Sequence, residues 1–116
     1  MSELLNCPVF AKYEFENPVR SFKIRGALNL LHHLTAAPAA TPANLVTAST
    51  GNHGAAMAFA CQRYGMPLTV GVPVGSDESK VELIHRFEAN LEFVGRDMDE
   101  AKELLIETLA EDSLFI

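Results

Sequence analysis

The chain has 116 residues, of which 48% are apolar, so it is long enough for one domain with a modest core. Its apolar stretches are too short to span a membrane, and its first residues lack the basic start and long apolar run of a signal peptide; we therefore expect a cytoplasmic protein. Cys7 and Cys61 are too few for a disulfide scaffold and lack metal-ligand spacing, so no metal site is expected.

The net charge of −6 is unevenly distributed along the chain. Residues 77–116 hold twelve acidic and four basic side chains, a net charge of −8, which leaves residues 1–76 with +2. The positive N-terminal part suits an anionic cofactor and a carboxylate substrate, whereas solvated helix faces explain the acidic part equally well. No basic patch with interleaved aromatic residues is present, so nucleic-acid binding is not expected.

The N-terminal third is predicted to contain a strand, a loop and a helix. Alternating apolar residues predict a strand over residues 7–13, and residues 14–18 form a loop that ends at a proline. Ser21 can cap a helix whose apolar positions extend over residues 22–34. The Ala/Pro/Thr stretch over residues 36–42 ends this helix.

The rest of the chain alternates short strands with longer helices. Strands are predicted over residues 45–48, 68–72 and 91–94, with 113–116 opening another, and helices over residues 55–64, 77–87 and 98–109. This alternation implies right-handed βαβ units. We therefore predict the α/β class, with an open, mostly parallel sheet flanked by helices.

The turn after the first strand of this alternating part is a candidate binding loop. Residues 48–54 read Ala-Ser-Thr-Gly-Asn-His-Gly, with small side chains that allow a ligand to approach the main chain. Ligands of open parallel sheets bind beyond the carboxyl ends of strands, and the free N–H groups at a helix start can hold an anion. An ordinary strand-to-helix turn with a Ser or Asn cap explains the same residues, so the loop alone specifies no function.

Lys23 is the second candidate feature. A lysine amine can form a Schiff base with an aldehyde cofactor, and the apolar neighbours Phe22 and Ile24 with the nearby cation Arg25 favour the neutral, nucleophilic amine. A solvated surface charge is the ordinary explanation for a lysine near a helix start. The lysine and the loop together indicate pyridoxal phosphate (PLP) chemistry on an amino acid.

Two segments of the chain resemble a known enzyme family. Residues 12–27 read Lys-Tyr-Glu-Phe-Glu-Asn-Pro-Val-Arg-Ser-Phe-Lys-Ile-Arg-Gly-Ala, which resembles the segment around the cofactor lysine of serine/threonine dehydratases, PLP enzymes of the tryptophan-synthase-β-like fold type II. Residues 48–54 resemble the substrate-carboxylate loop of that family. The similarity continues through residues 65–73 and Lys80 and extends from about residue 4 to residue 116.

The resemblance implies a role for each matched residue. Lys23 would bind PLP covalently and exchange a proton at Cα of the amino acid, Phe22 would pack on the pyridine ring, and Asn52 would bond to the 3′ oxygen. Thr50 stands where racemases of the family carry a catalytic serine, so it is a second candidate catalytic residue. The substrate carboxylate would be held by Ser49, Thr50, Gly51, Asn52 and His53.

The resemblance also implies a domain organisation. We expect a single α/β domain over residues 1–116, in which residues 1–35 belong to the large-domain side of the family and residues 44–112 to its small domain. The family holds the cofactor phosphate in a run of glycines, and no two of the seven glycines here are adjacent. We therefore expect a truncated or partial form in which PLP binding is weak or absent.

The implied activity is that of a PLP-dependent ammonia-lyase (dehydratase) acting on L-threonine or L-serine. Two alternatives stay open: a non-catalytic α/β module of that family that binds a carboxylate or a partner, and a serine racemase-like activity. The expected partners are an amino-acid substrate and a second copy that covers exposed apolar surface, with neither nucleic acid nor membrane. Arg20 stands where many members carry a small residue or His and is given no role.

Overall fold

One open sheet of four parallel strands organises the residues that this computed structural model describes, 1–37 and 41–116. The strands are β1 (Asn44–Ala48), β2 (Leu68–Val72), β3 (Asn90–Phe93) and β4 (Ser113–Phe115), and their order in the sheet is β3-β2-β1-β4. Leu45 of β1 lies opposite Leu68 of β2 on one side and Leu114 of β4 on the other. The predicted class, an open parallel α/β sheet, is confirmed.

Helices cover both faces of this sheet. They are α3 (Asn52–Tyr64) and α4 (Glu78–Arg86) on one face and α5 (Met98–Glu107) on the other. α2 (Lys23–Thr35) packs against α3, and before it the chain forms the short exposed helix α1 (Ser2–Leu5) and a 3₁₀ turn over Glu14–Glu16. Val70 and Val72 join the core with α3, whereas a Cβ on the alternating residue Gly71 would meet Leu105 of α5. No helix in the described part of the chain is long and apolar enough to cross a membrane.

The strand order explains why α5 lies on the opposite face. From β1 the chain steps outward to β2 and then to β3, and afterwards it returns past β2 and β1 to β4. Because crossovers between parallel strands are right-handed, a reversal of direction moves the connecting helix to the other face. The reversal makes the carboxyl end of β1, between β2 and β4, the switch point of the sheet, which is where such folds bind ligands.

The main core is built around α3. Small buried residues cover this helix on nearly all sides, namely Gly54, Ala55, Ala56, Ala58, Ala60 and Cys61. They allow close packing of α2, α4 and the sheet, which contribute the fully buried side chains of Leu31, Ile84 and Val70. Gly65, with a left-handed φ of 65°, ends the helix and returns the chain to β2.

Most predicted elements agree with the structure to within three residues at each end. The strand Leu68–Val72 has the predicted bounds, while α3 begins at Asn52 rather than at residue 55 and so includes more of the loop. The third helix of the prediction is shorter, Glu78–Arg86, because the Asp77 side chain accepts the Ser79 N–H and caps it. Residues 38–40 of the predicted helix stop lie outside the described residues.

The predicted strand over residues 7–13 is wrong. These residues form neither strand nor helix, and every one of them is exposed. An alternating segment becomes a strand only where a neighbouring strand supplies hydrogen bonds. Among the described residues the sheet consists of the four strands β1, β2, β3 and β4, and none of them pairs with this segment. The segment belongs to an N-terminal arm, residues 1–16. Glu14 of this arm forms an ion pair with Arg25 of α2 (3.5 Å) and a second ion pair within the arm, with Lys12 (3.2 Å).

Leu31 provides a test of the packing between α2 and the rest of the core. Its side chain is 0% exposed, so Leu31→Ala is expected to lower the free energy of unfolding by about 2–5 kcal/mol through lost burial and a residual cavity. Leu4→Ala, at a site that is 87% exposed, is expected to change it by less than about 0.5 kcal/mol. Urea denaturation monitored by circular dichroism measures both changes. If Leu31→Ala lowered the free energy of unfolding as little as Leu4→Ala does, α2 would not pack as described.

Candidate active site

The side chain of Asn17 shapes the backbone that leads to Lys23. Its amide nitrogen donates to the carbonyl oxygens of Glu14 and Ser21, and its oxygen accepts the N–H groups of Val19 (3.1 Å) and Ser21 (3.3 Å). These four bonds close residues 14–21 into a compact loop. Sequence reasoning treated Asn17 only as part of a turn, although Asn followed by Pro is a recognised signal for such a side-chain-bonded loop.

Lys23 therefore combines a fixed backbone with an exposed side chain. Val19 is 1% exposed and anchors the loop in the core, and the buried hydroxyl of Ser21 accepts the Lys23 N–H at 3.3 Å. The ammonium nitrogen of Lys23 lies 5.8 Å from the ring centroid of Phe22, and this ring is 63% exposed. The first turn of α2 thus presents an amine and an aromatic face side by side.

Arg20 adopts the left-handed conformation, with φ of 53°. A Cβ in this region costs about 1–2 kcal/mol, and Gly avoids the cost while His, Asn and Asp tolerate it better than most residues. The backbone therefore explains why a small residue or His suits this position. The Arg20 N–H donates to the Asn17 carbonyl at 2.9 Å, so the strained residue also closes the loop ahead of Lys23.

Substitution of Arg20 separates backbone strain from side-chain chemistry. Arg20→Gly is expected to leave the stability unchanged or raise it by up to about 1 kcal/mol, because the lost strain outweighs the greater freedom of Gly in the unfolded chain. Arg20→Val is expected to lower it by about 1 kcal/mol or more, since a β-branched residue is least tolerant of a positive φ. Scanning calorimetry measures both; a lower stability for the Gly variant than for the Val variant would contradict the strain.

The loop after β1 is held by the side chain of Ser49. Its hydroxyl oxygen accepts the N–H groups of Gly51 (3.2 Å) and Gly54 (3.0 Å), and its own N–H donates to the Gly71 carbonyl at 3.1 Å. Ser49 is buried, and its oxygen satisfies one of the unpaired donors at the start of α3. The hydroxyl proton of Ser49 is left to donate elsewhere.

Three main-chain donors of the loop remain without an acceptor among the described residues. They are the N–H groups of Thr50, Asn52 and His53, at or beside the positive end of the α3 dipole. A Cβ added at Gly51 would meet nothing within 4 Å, so the approach to these donors is open. The arrangement fits an anion such as a carboxylate.

Gly54 is required by close packing at the same turn. A Cβ at this position would lie 2.9 Å from the Ser49 carbonyl oxygen and 2.9 Å from Cδ1 of Ile84 in α4. Both contacts are shorter than a Cβ tolerates. The absence of a side chain therefore allows α3 to approach the end of β1 and brings its first N–H groups to the switch point of the sheet.

His53 connects the loop to Lys23. Its Nε2 lies 3.2 Å from Oγ1 of Thr47, and burial together with the positive charge of Lys23 lowers the pKa of the ring. α2 also packs against α3 in the core. The structure thus makes neighbours of the two helices that carry the predicted lysine and His53 of the predicted loop, while the roles of these residues stay predictions.

An exposed amine and a helix start with unpaired N–H groups among the described residues thus stand on two packed helices of an open, parallel α/β domain. The family profile described as pyridoxal-phosphate dependent enzyme matches residues 1–116. The chain therefore belongs to the family of pyridoxal-phosphate dependent enzymes.

Similar proteins span several members of this family. An L-threonine ammonia-lyase of Geobacter sulfurreducens is 35% identical over 99% of this chain and 28% of its own length. Threonine deaminase isoform 2 of Solanum lycopersicum has a TM-score of 0.84 and 28% identity over 99% of this chain and 33% of its own. Maize serine racemase has a TM-score of 0.78 and 27% identity over 99% and 35%. The chain thus spans about a third of the length of these proteins.

The residues present fit one end of PLP. Lys23 offers an amine, Phe22 an exposed aromatic face, and Asn52 a side-chain amide that forms no hydrogen bond within the described part of the chain. These groups suit the aldehyde, the ring and the 3′ oxygen respectively. The phosphate has no comparable glycine-lined cradle, because no two glycines of the sequence are adjacent.

Two neighbouring hydroxyl groups test the cap of α3. Ser49→Ala is expected to lower the free energy of unfolding by about 1–2 kcal/mol, because two N–H groups lose their acceptor. Thr50→Ala removes a hydroxyl that forms no hydrogen bond with the described residues, and a change of less than about 0.5 kcal/mol is expected. Guanidinium titrations monitored by tyrosine fluorescence compare the two, and a larger loss for the Thr50 variant would refute the assignment.

Proposed function

We propose that residues 1–116 form the lysine-bearing and carboxylate-binding wall of a PLP-dependent ammonia-lyase (dehydratase) that acts on L-threonine or L-serine. The observation that carries the proposal is the group of main-chain N–H donors at the start of α3 that have no acceptor among the described residues, on a helix that packs against α2, the helix that Lys23 begins. The threonine ammonia-lyase and threonine deaminase among the similar proteins support the reaction class.

PLP, when bound, withdraws electrons from Cα of an amino acid so that a proton there becomes acidic. The N–H groups of Thr50, Asn52 and His53 bind the substrate carboxylate and orient Cα toward the lysine. The Nζ of Lys23 takes the proton from Cα, and Phe22 covers one ring face and excludes water from it. The substrate then loses its β-hydroxyl group as water, and a water molecule afterwards hydrolyses the resulting imine to a 2-oxo acid and ammonia.

A racemase-like activity is the second candidate, and Thr50 is the residue that favours it. Its hydroxyl forms no hydrogen bond within the described residues and stands beside the open Gly51 main chain. A hydroxyl there could serve the substrate face opposite Lys23, as the similarity to maize serine racemase suggests. The added methyl group of threonine disfavours this reaction relative to elimination.

We propose that these residues alone bind PLP weakly. Charge-assisted hydrogen bonds contribute about 1.5–3 kcal/mol each, and a phosphate normally receives several of them. The loop N–H groups at α3 are assigned to the substrate carboxylate, so the phosphate needs donors from outside residues 1–116. A non-catalytic module that binds a carboxylate through the loop of residues 48–54 remains the competing outcome.

Covalent trapping tests the lysine assignment. With PLP at millimolar concentration, the chain is expected to develop a visible absorption band, and borohydride reduction followed by peptide mass spectrometry is expected to place the label on Lys23. Lys23→Ala should abolish the band, whereas Lys12→Ala, in the exposed arm, should keep it. A label spread evenly over the lysines would contradict the assignment of Lys23 as the cofactor lysine.

Turnover separates the enzyme from the non-catalytic module. The PLP-loaded chain is mixed with L-threonine, L-serine or D-serine, and 2-oxo acid and enantiomer ratios are measured. Formation of 2-oxo acid that Lys23→Ala abolishes supports the lyase, and inversion of serine without 2-oxo acid supports the racemase. Binding of L-threonine with neither product, and unchanged by Lys23→Ala, supports the module and contradicts the lyase.

A further inference from the structure

Thr47, near the end of β1, connects His53 to the end of β4. Its side-chain oxygen Oγ1 donates to the main-chain oxygen of Ile116 at 2.7 Å and lies 3.2 Å from Nε2 of His53. Thr47 is fully buried, so water does not compete for these contacts. Ile116 is itself fixed to β1, since its N–H donates to the Val46 carbonyl at 2.9 Å.

The single proton of the Thr47 hydroxyl determines the state of the imidazole. Because that proton is directed at the Ile116 oxygen, Oγ1 faces His53 with a lone pair. An unprotonated Nε2 would place two lone pairs against each other at 3.2 Å, so Nε2 must be the donor. The other ring nitrogen, Nδ1, is then the acceptor of a neutral imidazole.

The surroundings of His53 are consistent with a neutral ring. Lys23 of α2 acts on it with a positive charge, and Asp99 and Lys102 of α5 line the same cavity of about 290 Å³. Burial and the Lys23 charge both lower the pKa of His53. Asp99 has the one acidic side chain that lines that cavity in the described structure, and it is exposed.

We propose that Thr47 is a positioning residue of this site: its hydroxyl fixes His53 in the Nε2-protonated neutral form and so anchors the first turn of α3 to β1 and β4. The proposal rests on the proposed function in one respect, namely that the N–H groups of this turn bind a carboxylate. The hydrogen bonds that run from His53 through Thr47 to Ile116, which we call the relay, are present in the chain without any ligand. A side chain that touches neither ligand nor reacting atoms would thereby set the position of the anion-binding donors.

Nitrogen NMR of the uniformly labelled full chain measures the tautomer directly. In the wild type, His53 is expected to show a protonated, pyrrole-type Nε2 and an unprotonated, pyridine-type Nδ1 above neutral pH; the variant His53→Gln assigns the signals among the four histidines. Thr47→Ser should retain this pattern because the hydroxyl remains. Thr47→Val, which keeps the shape and removes the hydroxyl, should give mixed tautomers.

Amide hydrogen exchange measures the anchoring. The N–H groups of Gly54 and Ala55 are bonded in the first turn of α3, and their exchange is expected to rise about tenfold in Thr47→Val and to stay unchanged in Thr47→Ser. Thr108→Val is the control, since its hydroxyl bonds only within α5. A wild-type His53 protonated on Nδ1, or first-turn exchange unaffected in Thr47→Val, would overturn the proposal.

Ligand binding distinguishes this proposal from the proposed function. L-threonine is titrated into the PLP-loaded chain while the loop amides are observed, and Thr47→Val is expected to weaken binding about tenfold relative to Thr47→Ser. Absence of L-threonine binding in the wild type would reject the proposed function, while the tautomer and exchange results would still decide the relay. If Thr47→Val fails to fold, the wild-type tautomer and the Ser variant decide it.

Discussion

The site depends on the close approach of α3 to the end of β1. A helix can begin directly against a strand end only where no side chain intervenes, and Gly54 provides that gap against the Ser49 carbonyl and Ile84. The Ser49 hydroxyl then takes the N–H of Gly54 and fixes the turn. The remaining N–H groups point outward because their usual acceptors lie before the helix start, so the packing constraint itself produces the anion-binding donors.

The same helix places the lysine. Because α3 is covered by small residues, α2 packs closely along it in the core. The Asn17-bonded loop and the buried Val19 then determine where α2 begins. Lys23 and the loop of residues 48–54 are therefore joined through a core rather than through flexible segments, as the proposed proton transfer at Cα would require.

The sequence predicted the parts of this arrangement that depend on local pattern. The strand Leu68–Val72 is a short apolar run between Pro67 and Pro73, and such runs are readily recognised. The alternation over residues 7–13 has the same local pattern but no partner strand, and pairing is a non-local property. For the loop of residues 48–54 the sequence offered a Ser or Asn cap, and the structure shows that Ser49 accepts the Gly51 and Gly54 N–H groups; the role of the loop as a binding site stays a prediction.

The contacts of Thr47 show most clearly which features cannot be predicted from local sequence patterns. In the sequence it is a polar residue inside a buried strand, with no motif around it. Its importance arises because β4, far along the chain, returns beside β1 and places the Ile116 oxygen within reach of its hydroxyl. Only the strand order brings these two residues and His53 together, so no spacing rule could have indicated the relay.

In the proposed site, the groups that would orient the substrate differ from those that would bind the phosphate of the cofactor. Under the proposed function, the amine, the aromatic face and the loop N–H groups of residues 1–116 would determine where Cα lies relative to the base. The phosphate, which contributes most of the charge of PLP, would be bound by other groups. Binding energy gained at that remote end can hold the cofactor without altering the geometry at Cα, since interactions distant from the reacting atoms act on occupancy while those beside them act on the transition state. In the proposed function, a wall rich in orienting groups and poor in phosphate ligands would therefore act on the geometry at Cα rather than on the affinity for the cofactor.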